Sequence, residues 1–98
     1  MDTVRYRRKP NAVAERELGD TLMLVPVTAH LGRLDRFFNL NEAAGLIWHR
    51  TLDGATLDEV ADTLCETYEV ERDVARTDAE AILEQLVAFG ALEPEPAA

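Results

Sequence analysis

Two histidines, His30 and His49, and one cysteine, Cys65, are the side chains of this chain best suited to hold a transition metal or attack a substrate. Their spacing serves neither purpose. A structural zinc site brings Cys and His ligands together in closely spaced pairs, and no two of these three are near in sequence. A packed cysteine and two solvated imidazoles are the plain reading. Serine is absent from all 98 residues. That removes serine nucleophiles and the phosphopantetheine attachment serine of an acyl carrier protein. No glycine-rich phosphate loop occurs. The 19 carboxylates fall on faces of expected helices, where a solvated acidic surface accounts for them. Neither a catalytic residue, a metal site nor a cofactor is expected, so binding is the chemistry left.

Length and charge narrow what is bound. Ninety-eight residues, 47% of them hydrophobic, make one domain with one core. No apolar run approaches the ~20 residues that span a bilayer. No apolar block follows the basic stretch Arg5–Lys9, so it is not a secretory signal. A single cysteine fits a reducing, cytoplasmic compartment. The net charge of −9 is unevenly spread: residues 1–36 carry +2 and residues 37–98 carry −11. The second half is a poor ligand for polyanions.

The elements that must position any site follow from periodicity. Val13–Leu18 and Thr21–Val27 flank Gly19-Asp20, a two-residue type II′ turn or one shifted by a residue. Leu22 and Leu24 share one face. Pro26, without an N–H, ends that strand or places it at an edge. After a polar loop, Leu34–Leu40 is a third strand, with Phe38 and Leu40 on the face opposite Phe37 and Asn39. Three helices follow. Asn41 caps the first, with Asn39 and Glu42 as an alternative box. Its stripe is Ala44, Ile47, Trp48 and Leu52, and Asp53-Gly54 ends it. Thr56 and Glu59 form a capping box for the second helix, whose stripe is Leu57, Val60, Ala61, Leu64 and Tyr68. The third starts near Asp73, shows Ala75, Ala79, Ile82, Leu83, Leu86 and Phe89, and stops at Gly90, where Leu92 folds back.

The fold class is therefore α+β: a three-stranded antiparallel sheet followed by a three-helix, winged-helix-like bundle. Residues 1–12 are expected to be a flexible basic arm, 13–93 the folded domain and 94–98 a disordered tail. The second and third helices have the look of a helix-turn-helix. A DNA-binding regulator is thus the alternative reading. The would-be recognition helix, however, sets Arg72 and Arg76 against Asp73, Asp78, Glu80 and Glu84, where a duplex demands cations.

The stretch Arg36-Phe37-Phe38-Asn39-Leu40-Asn41-Glu42 resembles the aromatic strand and Leu-Asn helix start of the PQQ-synthesis protein D (PqqD) family, the prototype precursor-peptide recognition element. Ile47-Trp48, Leu52-Asp53-Gly54, Thr56-Leu57-Asp58-Glu59-Val60-Ala61 and Tyr68-Glu69-Val70 fit its pattern in order. Asp78, Leu83, Leu86, Gly90 and Leu92 complete it, over about residues 13–93. The resemblance implies a non-catalytic chaperone. It binds the leader of a ribosomally made precursor peptide and presents it to a tailoring enzyme, a radical-SAM protein in pyrroloquinoline quinone biosynthesis or a leader peptidase for lasso peptides. It implies a peptide added to the third strand and lying against the third helix. Asn11–Leu18 departs from the PQQ-dedicated members, so the pathway stays open.

That mode is physically sound, since a sheet edge has unpaired N–H and C=O groups. The expected peptide-binding residues are Leu34, Asp35, Arg36, Phe37, Phe38 and Asn39 on the strand, with Arg76, Asp78, Ile82, Gln85 and Leu86 on the helix. Phe38, Ile82 and Leu86 are either groove or core. Trp48 is core by its place on the stripe, and Phe37 packs under the hairpin or is exposed. An open edge also fits a monomer or a weak dimer. Neither nucleic acid nor membrane is an expected partner.

Overall fold

The hairpin expected around Gly19-Asp20 forms. In the computed structural model, which describes residues 4–27 and 37–96, the chain begins with β1 (Val4–Arg8), β2 (Val13–Leu18) and β3 (Thr21–Pro26). Leu18 pairs with Thr21, leaving Gly19 and Asp20 as the turn. Gly19 has φ +62° and Asp20 is not in the positive region. Left-handed backbone at the first position alone is the type II′ pattern, so the turn is unshifted. A third strand, β4 (Phe38–Leu40), pairs with β3 through Leu24–Phe38 and Leu22–Leu40, giving the order β2-β3-β4. The expected strand Leu34–Leu40 is seen from Phe38 on. Leu34, Asp35 and Arg36 lie outside the described residues.

Helix α1 (Glu42–Arg50), β5 (Ala55–Thr56), α2 (Leu57–Thr67), α3 (Arg72–Phe89) and β6 (Leu92–Pro96) complete the chain. Asn41 caps α1, its Oδ1 accepting the Ala44 N–H at 2.8 Å. The helix ends earlier than Asp53-Gly54, because Thr51 turns its hydroxyl onto the Trp48 carbonyl at 2.7 Å. Leu52 consequently leaves the apolar stripe and is 66% exposed. At the far end of α3, Gly90 takes φ +95° and the Ala91 N–H reaches back to the Leu86 carbonyl at 3.0 Å. This is a Schellman closure, which only a residue without Cβ adopts at little cost. Leu92 then drops into the core.

The core lies between the sheet β2-β3-β4 and the helices. Leu24 and Leu40 meet Ile47 and Trp48 of α1, Val60 and Leu64 of α2, and Leu83 and Leu86 of α3. The indole of Trp48 donates to a Glu15 carboxylate oxygen, so its one polar atom is satisfied despite burial.

Residues 1–12 and 94–98, expected as arm and tail, contain paired strands. β1 lies between β5 and β6 in a second antiparallel sheet, with Arg5 opposite Glu95 and Tyr6 opposite Pro94. Two of the arginines that suggested a solvated arm add contacts to this pairing. Arg8 donates to the Trp48 carbonyl at 2.6 Å and lies 3.9 Å from the indole centroid. Its charge thus meets both the C-terminal end of α1 and an aromatic face. Arg5 donates to the Gly54 carbonyl at 3.2 Å.

The capping box on α2 forms as spaced. Thr56 N–H donates to Glu59 Oε1 at 2.9 Å, and Glu59 N–H to Thr56 Oγ1 at 3.2 Å. The Thr56 N–H foremost, and then Arg5 and Arg50, hold the Glu59 carboxyl below its ordinary value. A depressed folded-state pKa stabilises above the unfolded value of about 4.3, and that gain is lost as pH falls through the folded one. Thr56→Ala should therefore cost about 1 kcal/mol at neutral pH in urea unfolding. The stability gap between the natural chain and Glu59→Gln should close as pH drops from 6 towards about 3. A gap independent of pH would remove the Glu59 account.

Candidate functional site

Hydrogen-bond alternation decides which backbone groups of β4 are free. Val27 N–H donates to the Ala12 carbonyl at 3.0 Å. Odd-numbered residues of β3 therefore bond β2, and the even-numbered ones turn towards β4. Leu22 and Leu24 engage Leu40 and Phe38. The N–H and C=O of Asn39, between them, point out of the sheet. Among the described residues no strand covers that side.

Among the described residues the other long edges are less suited to a guest strand. Lys9 N–H donates to the Ala91 carbonyl at 3.0 Å, so by the same alternation Glu93 and Glu95 face β1. Pro94 and Pro96 fall on the outer edge of β6, where they have no N–H to offer. The edge of β2 carries Glu15, Arg16 and Glu17, a charged run that discourages strand addition.

Beside the open edge lies an apolar groove. β4 and α3 run in opposite directions. Phe38 meets Phe89 edge-on at 5.6 Å between centroids, while Asn41, just past β4, faces the first half of α3. There a groove of about 420 Å³ is lined by Asn41, Ala43, Tyr68, Val70, Asp78 and Ile82, among others. Partial burial first, and then the Glu42 carboxylate that accepts its hydroxyl, raise the Tyr68 phenol above its ordinary value. Tyr68 thus contributes a phenol ring to the wall shared with Val70 and Ile82.

The residues expected from sequence separate here. Asn39 stands exposed on the edge, Phe38 is half-buried on the helix side, and Phe37 is 51% exposed on the far face of the sheet. Ile82 is half-buried in the groove wall, and Asp78 is exposed at its rim. Gln85 follows one turn after Ile82 on the same side of the helix. Leu86 is fully buried and belongs to the core. Arg76 departs from the expected rim: two residues from Asp78 is about 200° around a helix, and its guanidinium is held by Asp58 of α2. Tyr68 and Val70 were not among the expected contacts. The signal was the apolar stripe of α2 running past the helix end, where it has only half a neighbour.

α3 offers little to a nucleic acid. Arg72 and Arg76, its two cations, are paired with Asp58 and Asp62 of α2. Among the described residues no three His, Cys, Asp or Glu gather into a metal-binding group, and no helix is long and apolar enough to cross a membrane.

Comparison with known proteins gives consistent matches. The sequence model for coenzyme PQQ synthesis protein D (PqqD) matches residues 21–92. Among solved structures, the chain is similar to a lasso peptide synthetase B1 complexed with the leader peptide. The two are 31% identical with a TM-score of 0.72, over 91% of this chain and 98% of that one. It also shares its fold with TbiB1 in complex with the TbiA(beta) leader peptide, at 23% identity and a TM-score of 0.73, over 89% and 94% of the two chains. No curated protein matches the chain.

Proposed function

The chain belongs to the PqqD family, and on that premise we propose that it is a non-catalytic peptide chaperone. It takes the leader of a ribosomally made precursor peptide as an added strand on β4 and presents the peptide to a tailoring enzyme. The observation that carries this reading is the Asn39 backbone, which no strand among the described residues pairs, beside the groove of Tyr68, Asp78 and Ile82. An added strand bonds Asn39, and its residues opposite Phe38 and Leu40 then turn their side chains towards the helices. Apolar side chains two positions apart fit that side, and Asp78 and Gln85 at the rim set the register. Phe37 precedes β4 on the same edge. A lasso-type pathway is favoured over pyrroloquinoline quinone synthesis, since the lasso synthetase B1 shares 31% identity with this chain over nearly its whole length. The enzyme served is then a leader peptidase rather than a radical-SAM protein.

Titrating the 15N-labelled chain with the leader peptide encoded beside its gene should give saturable shifts centred on residues 37–41 and the groove side of α3. Shifts confined to β1 and β6, or no saturation, would overturn the reading. Backbone substitution provides a sharper test. Asn39→Pro removes an outward N–H while leaving the β3 bonds in place. One lost hydrogen bond, with its partner carbonyl left unmet, should weaken leader binding about tenfold in calorimetry. Unchanged affinity would place the peptide elsewhere.

A further inference from the structure

A second groove adjoins the first. It has a volume of about 280 Å³, lies between the start of β3 and the outer side of α1, and is lined by Asp20, Leu22, Glu42, Gly45, Leu46 and His49, among others. Asn41 and Tyr68 line both grooves, so these two side chains are the divide between them.

Gly45 is the unexplained residue of this groove. It stands in the middle of α1, where glycine is a poor helix former. Backbone geometry does not require it, for its φ is not positive. Packing does not require it either: an added Cβ would meet nothing within 4 Å. A glycine over open space leaves room for another chain's backbone to come close.

We propose that this second groove receives the part of the bound peptide immediately N-terminal to its strand-forming segment, and that it selects lysine or arginine there. The proposal rests on β4 as the peptide edge. Every strand pair among the described residues is antiparallel. A guest strand that continues this pattern on β4 has its N-terminal end beside Leu40 and Asn41, at the divide between the grooves. Upstream residues then cross Tyr68 and settle over Gly45. Asp20 and Glu42 among the lining residues attract a cation, and Leu22 and Leu46 cover its methylene stem. The surrounding half of the chain, residues 37–98 with a net charge of −11, favours the same sign.

The test begins with a random-peptide phage library selected on the full chain. The best binder is then synthesised intact, with its basic upstream residue changed to glutamate, and with its upstream residues removed. Calorimetry compares the natural chain with Gly45→Leu and Asp20→Lys. The natural chain should bind the intact peptide about tenfold more tightly than either altered peptide. Both variants should lose that preference while binding the shortened peptide as the natural chain does. Gly45→Leu should fold at least as stably as the natural chain, since leucine is the better helix former. If the variants bind the intact peptide as the natural chain does, or if the three peptides bind alike, the second groove is not a subsite. If Asn39→Pro leaves every selected peptide unaffected, the β4 edge itself fails, and that outcome is distinct from failure of the second groove alone.

Discussion

Trp48→Ala should lose about 3–5 kcal/mol of folding stability in urea denaturation followed by far-UV circular dichroism. The side chain is only 2% exposed and sits among Leu24, Leu40 and Ile47 in the core. Truncation leaves a cavity the size of an indole between sheet and helix, which rigid neighbours only partly fill. It also removes two ties between α1 and the N-terminal strands. Arg8 loses the aromatic face beneath its guanidinium, and Glu15 of β2 loses the indole donor. Against a total of about 5–15 kcal/mol for a domain of ordinary stability, the variant would stand near the unfolding threshold. Trp48→Phe should lose clearly less. It keeps an aromatic ring for Arg8, and the Glu15 carboxylate, on an exposed strand, turns to water. A loss below about 1 kcal/mol for Trp48→Ala would mean that this residue is not the anchor between α1 and the two sheets.

The second large effect concerns binding. Ile82→Asp should weaken leader-peptide affinity about a hundredfold while the chain stays folded. Ile82 is half-buried in the groove wall, one helical turn from Asp78. In the free protein a new carboxylate there reaches water, so stability falls little. Once a peptide lies against β4, the same carboxylate is covered by apolar side chains, with Asp78 adding like-charge repulsion. A desolvated, unpaired charge accounts for a penalty of about 2–3 kcal/mol, which is the hundredfold change. Leu86→Asp is the instructive contrast. Leu86 has no exposure at all, so that change should unfold the domain rather than select against the peptide. Calorimetric titration with the leader peptide, alongside urea unfolding of each variant, separates the two. Equal affinity of Ile82→Asp and the natural chain would remove the groove from the binding site.

The adjacent fates of Ile82 and Leu86 show where sequence reading reached its limit. Both lie on one apolar stripe, four residues apart, and periodicity assigns them the same role. The difference comes from what lies opposite each. Leu86 is closed into the core, while Ile82 lines the groove beside Asn41 and Tyr68, where among the described residues no further strand flanks β4. Arg76 is a similar case. Its charge was visible, but its partner Asp58, on a different helix, was not.

What the sequence determined by itself was local. The Gly19-Asp20 turn, the Asn41 cap, the Thr56–Glu59 box and the Gly90 stop all formed as spaced, because each is closed by atoms within about five residues of one another. The hairpin and third strand ahead of three helices, the absence of serine and the unequal charge of the two halves were likewise legible, whereas β5 and β6 were not. Only the tertiary structure decided the rest. It paired Val4–Arg8 with Leu92–Pro96 across nearly the whole chain, turned the prolines of β6 outward, and left the backbone of Asn39 without a strand partner among the described residues, beside a groove. No local rule selects a partner so far away in sequence. That choice is made by burial and hydrogen bonding over the whole chain, and it is what turns an apolar stripe into a core at Leu86 and into a groove wall at Ile82.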